Sequence, residues 1–113
     1  MGHCHCVDCR KAHGAAFATF VDVARDRLAV LSGADRLRRH RAPTGAVRSF
    51  CAGCGSMLFW EREGDPVVSV AVGTFDTPPD REPEYHYFVR SRLRWLDIRD
   101  GLPQFEAYPE TRG

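Results

Sequence analysis

Short runs of strand-forming residues broken by turn residues, with no long stretch of helical periodicity, predict an all-β single domain over residues 1–113. Ala16–Val23 is rich in β-formers and partly alternates, and Val67–Val72, valine-rich around a single serine, is the clearest buried strand. Tyr85–Val89 makes a further strand, while Leu28–Leu31 and Leu37–Arg41 are weaker ones, with Ser32-Gly33 as the turn between them. Val47–Phe50 and Met57–Glu61 flank a cysteine-containing turn, so they read as the two arms of a hairpin. Cys9–Gly14 has room for one helical turn. Thr77-Pro78-Pro79-Asp80 marks a loop, Asp100-Gly101-Leu102-Pro103 a turn, and the tail beyond Tyr108 is expected to be mobile.

Apolar residues make up 43% of the chain, enough to build a core rather than remain disordered. The formal charge of +1 gives no electrostatic case for nucleic acid or a membrane surface as partner. No apolar run approaches the roughly 20 residues of a membrane span, and no signal-peptide pattern opens the chain. The expected compartment is therefore the cytoplasm, where thiols stay reduced, and the five cysteines are not read as a disulfide framework.

Those cysteines fall in two groups, Cys4-His5-Cys6-Val7-Asp8-Cys9 and Cys51-Ala52-Gly53-Cys54-Gly55. Thiolates two and three residues apart converge on one tetrahedral ion at about 2.3 Å. Cys4, Cys6 and Cys9 supply three ligands and leave a fourth position for water or a substrate thiol, as in a catalytic zinc site. Three thiolates on Zn²⁺ leave a net negative charge, which suits holding an external thiol as thiolate better than activating water. Arg10 and Lys11 follow at once and would bind substrate carboxylates, a role also open to Arg90 and Arg92. Cys51 and Cys54 form a zinc-ribbon knuckle, in which Gly55 supplies the backbone freedom behind the second cysteine. A second arrangement joins Cys6 and Cys9 to Cys51 and Cys54 in one closed four-cysteine zinc and leaves Cys4 spare. His3 and His5 leave two readings open, a fourth ligand to the metal or, as is more usual for a histidine near a chain terminus, a solvent-facing side chain. His86 should face opposite to Tyr85 and Tyr87 on a strand and hydrogen-bond within the sheet. The aromatic residues Phe59, Trp60, Tyr85, Tyr87, Phe88 and Trp95 are expected mostly in the core.

Further stretches accompany the cysteines in order: His3 to Lys11, Gly14-Ala15-Ala16-Phe17, Ser49 to Gly55, Ser91-Arg92-Leu93-Arg94-Trp95 and Asp100-Gly101-Leu102-Pro103. Together they resemble the glutathione-dependent formaldehyde-activating enzyme family. The resemblance implies a β-tent fold related to zinc ribbons, a catalytic-type zinc at Cys4, Cys6 and Cys9, and a structural zinc to which Cys51 and Cys54 contribute. It also implies a carbon–sulfur lyase acting on a glutathione-type thiol and a small aldehyde, of which S-hydroxymethylglutathione formation is the family example. The alternative is a non-catalytic binding module stabilised by the shared four-cysteine zinc. The family carries a C-x-C-G motif upstream of the segment that begins here at His3, and this sequence has none, so Cys51 and Cys54 are expected to hold a second zinc poorly. The same departure places the first cluster at a poorly restrained chain end.

Overall fold

The computed structural model describes residues 1–109. It is all-β apart from one α-helix and four single turns of 3-10 helix, with strands β1 (Gly2–Cys4), β2 (Ala18–Ala24), β3 (Leu37–Arg41), β4 (Ala46–Cys51), β5 (Met57–Arg62), β6 (Val67–Ala71) and β7 (Tyr85–Tyr87). The helix, α1, spans Val7–His13. The chain forms two units, Met1–Phe20 with the chain from Pro79 onward, and Val21–Pro78, with β2 contributing to each.

In the first unit the strand order is β7-β1-β2. Strand β1 runs antiparallel to β2, with His3 opposite Thr19 and Cys4 opposite Ala18. It runs parallel to β7, with His3 beside His86 and Cys4 beside Tyr87. Gly-His-Cys carries no strand propensity of its own, and two neighbouring ladders impose the extended form. The expected loose chain end is therefore corrected. Met1 is buried, its amine lies 3.3 Å from the Glu84 carboxylate, and its carbonyl accepts the Glu84 N–H at 2.9 Å. Gly2 permits the close approach of β7, since a Cβ there would stand 2.6 Å from the Tyr85 ring.

In the second unit the order is β3-β4-β5-β6, with β6 beside β2. Strands β4 and β5 form the expected antiparallel hairpin, with an irregularity at Ser49/Phe50. Strand β6 is buried along Val68–Ala71, and its one polar residue, Ser69, donates its hydroxyl to Asp22 Oδ1 at 2.6 Å. The nearly buried Glu61 is held by Arg25 at 2.7 Å, with Arg39 at 3.8 Å, which offsets the desolvation of its carboxylate.

Several boundaries differ from the sequence reading. Leu28–Leu31 pairs with no strand, and Val30 and Leu31 are exposed. Val72 leaves the strand for a 3-10 turn, in which the Thr74 hydroxyl donates to the Ala71 carbonyl at 2.7 Å. Strand β7 stops at Tyr87 because Phe88 adopts a left-handed φ of 55°. That turn is held from outside, since the Phe88 and Val89 N–H groups donate to the carbonyls of Ala107 and Phe105. Phe20 is the one Phe, Tyr or Trp among the described residues that is fully buried. Of the aromatic residues expected in the core, Phe59, Trp60, Tyr85, Tyr87 and Phe88 are half-buried and Trp95 is 72% exposed. Small aliphatic residues, chiefly Ala and Val, make up most of the buried apolar positions instead. The expected mobile tail falls mainly on residues 110–113, outside the described residues, and Pro109 is buried.

Candidate metal centre

The first cysteine cluster is built by the junction of β1 with α1. Cys4 ends the strand, and Cys6 is the helix N-cap, with φ −62° and ψ 153°. Its Sγ accepts the Cys9 N–H at 3.2 Å, so sulfur takes the place an oxygen usually fills at a cap. This cap lets the helix begin at Val7, before the Cys9–Gly14 turn expected from sequence. Gly14, at φ 58°, closes the helix in the left-handed conformation, and Arg10, Lys11 and His13 complement the carbonyl end. One helical turn thus brings Cys9 back over Cys6, beside the end of β1.

The three Sγ atoms lie within 4.8 Å of one another. Cys4 and Cys9 are buried and Cys6 is half-buried. Tetrahedral coordination at about 2.3 Å would place sulfurs about 3.8 Å apart, a spacing compatible with this arrangement. Hydrogen bonds shared with Cys6, then with Cys9, push the Cys4 thiol far above its ordinary value, with burial adding to the effect. Three thiolates so close repel one another without a cation among them, and the donor set fits a soft or borderline metal ion. Cys4 is not spare in this geometry, because it joins Cys6 and Cys9.

Arg10 is half-buried on α1, and its Nε is buried with no hydrogen-bond partner among the described residues. Lys11 is exposed one position on. Arg90 stacks over the Phe88 ring at 5.3 Å and Arg92 is exposed.

The second group sits at the tip of the β4–β5 hairpin, as expected. The Gly55 N–H donates to the Cys51 carbonyl at 2.7 Å, the Cys51 N–H to the Ser56 carbonyl at 2.9 Å, and Gly55 takes φ 82°. Cys54 is exposed, with its Sγ 3.2 Å from the Ser56 hydroxyl, and that contact leads the pull of its thiol below the ordinary value. Cys51 and Cys54 join no third ligating side chain among the described residues.

The histidines depart furthest from expectation. His5 is fully buried rather than solvent-facing. Burial first, and then the charge of His86, push it down to about 4. Its Nε2 lies 2.8 Å from His86 Nδ1, and His86 Nε2 lies 2.7 Å from Asp100 Oδ2. His86 is the hydrogen-bonded strand histidine that alternation with Tyr85 and Tyr87 predicts. Asp100 and Thr19 entered the sequence reading only as parts of a turn and a strand. The i, i+2 spacing of His3 and His5, which places both on one face of an extended segment, was the available signal.

The model of the glutathione-dependent formaldehyde-activating enzyme family matches residues 1–91. A crystal structure of a Rhodobacter sphaeroides protein has a similar fold, with a TM-score of 0.55 and 23% identity, over 92% of this chain and 78% of that one.

Proposed function

The chain belongs to the glutathione-dependent formaldehyde-activating enzyme family, and on that premise we propose that it is a zinc-dependent carbon–sulfur lyase joining a glutathione-type thiol to a small aldehyde. Family membership supports a function tied to glutathione and formaldehyde. The observation that carries the finer reading is the convergence of Cys4, Cys6 and Cys9 within 4.8 Å, inside the matched segment. When bound there, zinc would supply Lewis acidity that favours the thiolate form of an incoming thiol.

In this reading Cys4, Cys6 and Cys9 hold the ion, and burial of Cys4 and Cys9 keeps bulk water from one side of it. The Cys9 N–H steadies the Cys6 sulfur as a thiolate. Arg10 is the better placed carboxylate-binding residue, because its half-buried guanidinium is held on the helix that carries the cluster; exposed Lys11 would act at longer range. Net addition forms a bond from the thiol sulfur to the carbonyl carbon and opens the C=O π bond. The thiol proton is transferred to the carbonyl oxygen. Cys51 and Cys54 would hold a second ion weakly from two thiolates. Reduced cysteines at both sites suit a cytoplasmic protein, and no helix among the described residues is long and apolar enough to cross a membrane.

Thiols add to formaldehyde unaided, so the test is the exchange rate between ¹³C-formaldehyde and its glutathione adduct, followed by NMR. The zinc-loaded protein should accelerate exchange in proportion to its concentration, and Cys6→Ser should abolish the acceleration. Exchange at the protein-free rate would overturn the proposal.

A further inference from the structure

The first unit gathers a second set of ligating side chains, made of His3, His86 and Asp100, whose ligand atoms lie within 4.8 Å of one another. Residues next to each other on a strand point to opposite faces, so His3 leaves β1 on the face away from Cys4. Thr19 and His86 lie opposite His3 in register and share its face. The cluster therefore does not belong to the cysteine site.

Each of the three side chains is held from behind. His3 Nδ1 lies 2.7 Å from the Thr19 hydroxyl, which leaves Nε2 as its ligand atom. His86 Nδ1 lies 2.8 Å from His5 Nε2, which leaves Nε2 there also. Asp100 Oδ1 accepts the Leu102 N–H at 3.0 Å, which leaves Oδ2. An outer partner on the second ring nitrogen of each histidine, and on the second carboxylate oxygen, is the support that metal ligands characteristically have. His5 is fully buried, and Phe17 packs on the cluster, with ring centres 4.7 Å from His3 and 5.0 Å from His5. Asp100 is 43% exposed in its side chain, which leaves the remaining coordination positions to water.

We propose that His3, His86 and Asp100 form a second metal site, for a divalent first-row transition ion. Two imidazole nitrogens and one carboxylate suit zinc or ferrous iron, and two nitrogen donors disfavour calcium and magnesium. Without the ion, the His86 Nε2–H donates to Asp100 Oδ2 at 2.7 Å; with the ion on Nε2, the neutral ring carries its proton on Nδ1, which donates to His5 Nε2 at 2.8 Å.

The test uses cobalt(II) on the full chain after chelation under reducing, anaerobic conditions. Cobalt bound by thiolates absorbs strongly through charge transfer, whereas cobalt held by His3, His86 and Asp100 does not, so absorption combined with equilibrium dialysis separates the two kinds of site. The native chain should take up one equivalent that adds no charge-transfer intensity. Asp100→Asn, at an exposed position, and His3→Gln should each bind that equivalent at least about tenfold more weakly. Circular dichroism and the thiolate absorption should be unchanged in both. Equal uptake and affinity in all three chains would overturn the proposal, as would loss of the thiolate absorption in step with the lost equivalent.

Discussion

Cys6 has two tasks that one substitution can separate. Its sulfur caps α1 by accepting the Cys9 N–H, and it is one of three converging metal-ligand candidates. Serine is a favoured N-cap but a poor soft-metal ligand. Cys6→Ser should therefore melt within a few degrees of the native chain, yet lose most of the cobalt charge-transfer absorption and of the glutathione binding. In Cys51→Ser the first cluster's absorption should survive, because Cys51 lies on the β4–β5 hairpin, where the turn is held by backbone hydrogen bonds. Thermal melts and cobalt spectra of both variants check this. Equal loss of absorption in both would point to one shared four-cysteine site.

At the level of elements, β1 depends on close approach rather than on propensity. Its three residues are held by ladders on both sides, and Gly2 sits where a methyl group would meet the Tyr85 ring at 2.6 Å. The ring has little room to yield, since it packs on Tyr87 and Phe105, with centroids 5.6 and 6.0 Å away. Gly2→Ala should destabilise by about 1–3 kcal/mol, as overpacking of a fitted site does. Urea denaturation measures it directly. A change within a few tenths of a kcal/mol would mean that β7 accommodates the methyl group.

For the molecule as a whole, acid sensitivity has a contribution from the tie between the first residue and a distant loop. Glu84 accepts from Arg81 at 2.7 Å and from the Met1 amine at 3.3 Å. Arg81 first, and then the amine, hold its carboxyl below the ordinary value of 4.5. The folded chain thus binds this proton less readily than the unfolded chain. The resulting stability is fully present above about 4.5 and is lost as the pH falls through the depressed folded value. Glu84→Gln should be somewhat less stable than the native chain at neutral pH, and the two should converge at strongly acidic pH. Denaturation midpoints measured across that range check the sign. A difference that grows on acidification would contradict it.

The sequence by itself determined the parts that close over short stretches of chain. Cys4, Cys6 and Cys9 converge within one strand end and one helical turn, and Cys51 to Gly55 turn back within one hairpin, so spacing alone carried both. The strand cores of β2, β4, β5 and β6 were legible because their β-formers lie where a ladder partner exists. Leu28–Leu31 has similar residues and no such partner, which local composition does not reveal. Only the tertiary structure decided that Gly2–Cys4 is a strand, and that His5 meets His86 across 81 positions and His86 meets Asp100 across 14. Contacts at such separations are fixed when whole ladders register, because only many paired hydrogen bonds and buried side chains together offset the entropy of closing those loops. For that reason the cysteine centre could be read from the chain, while the histidine–aspartate cluster emerged only once β1 lay between β2 and β7.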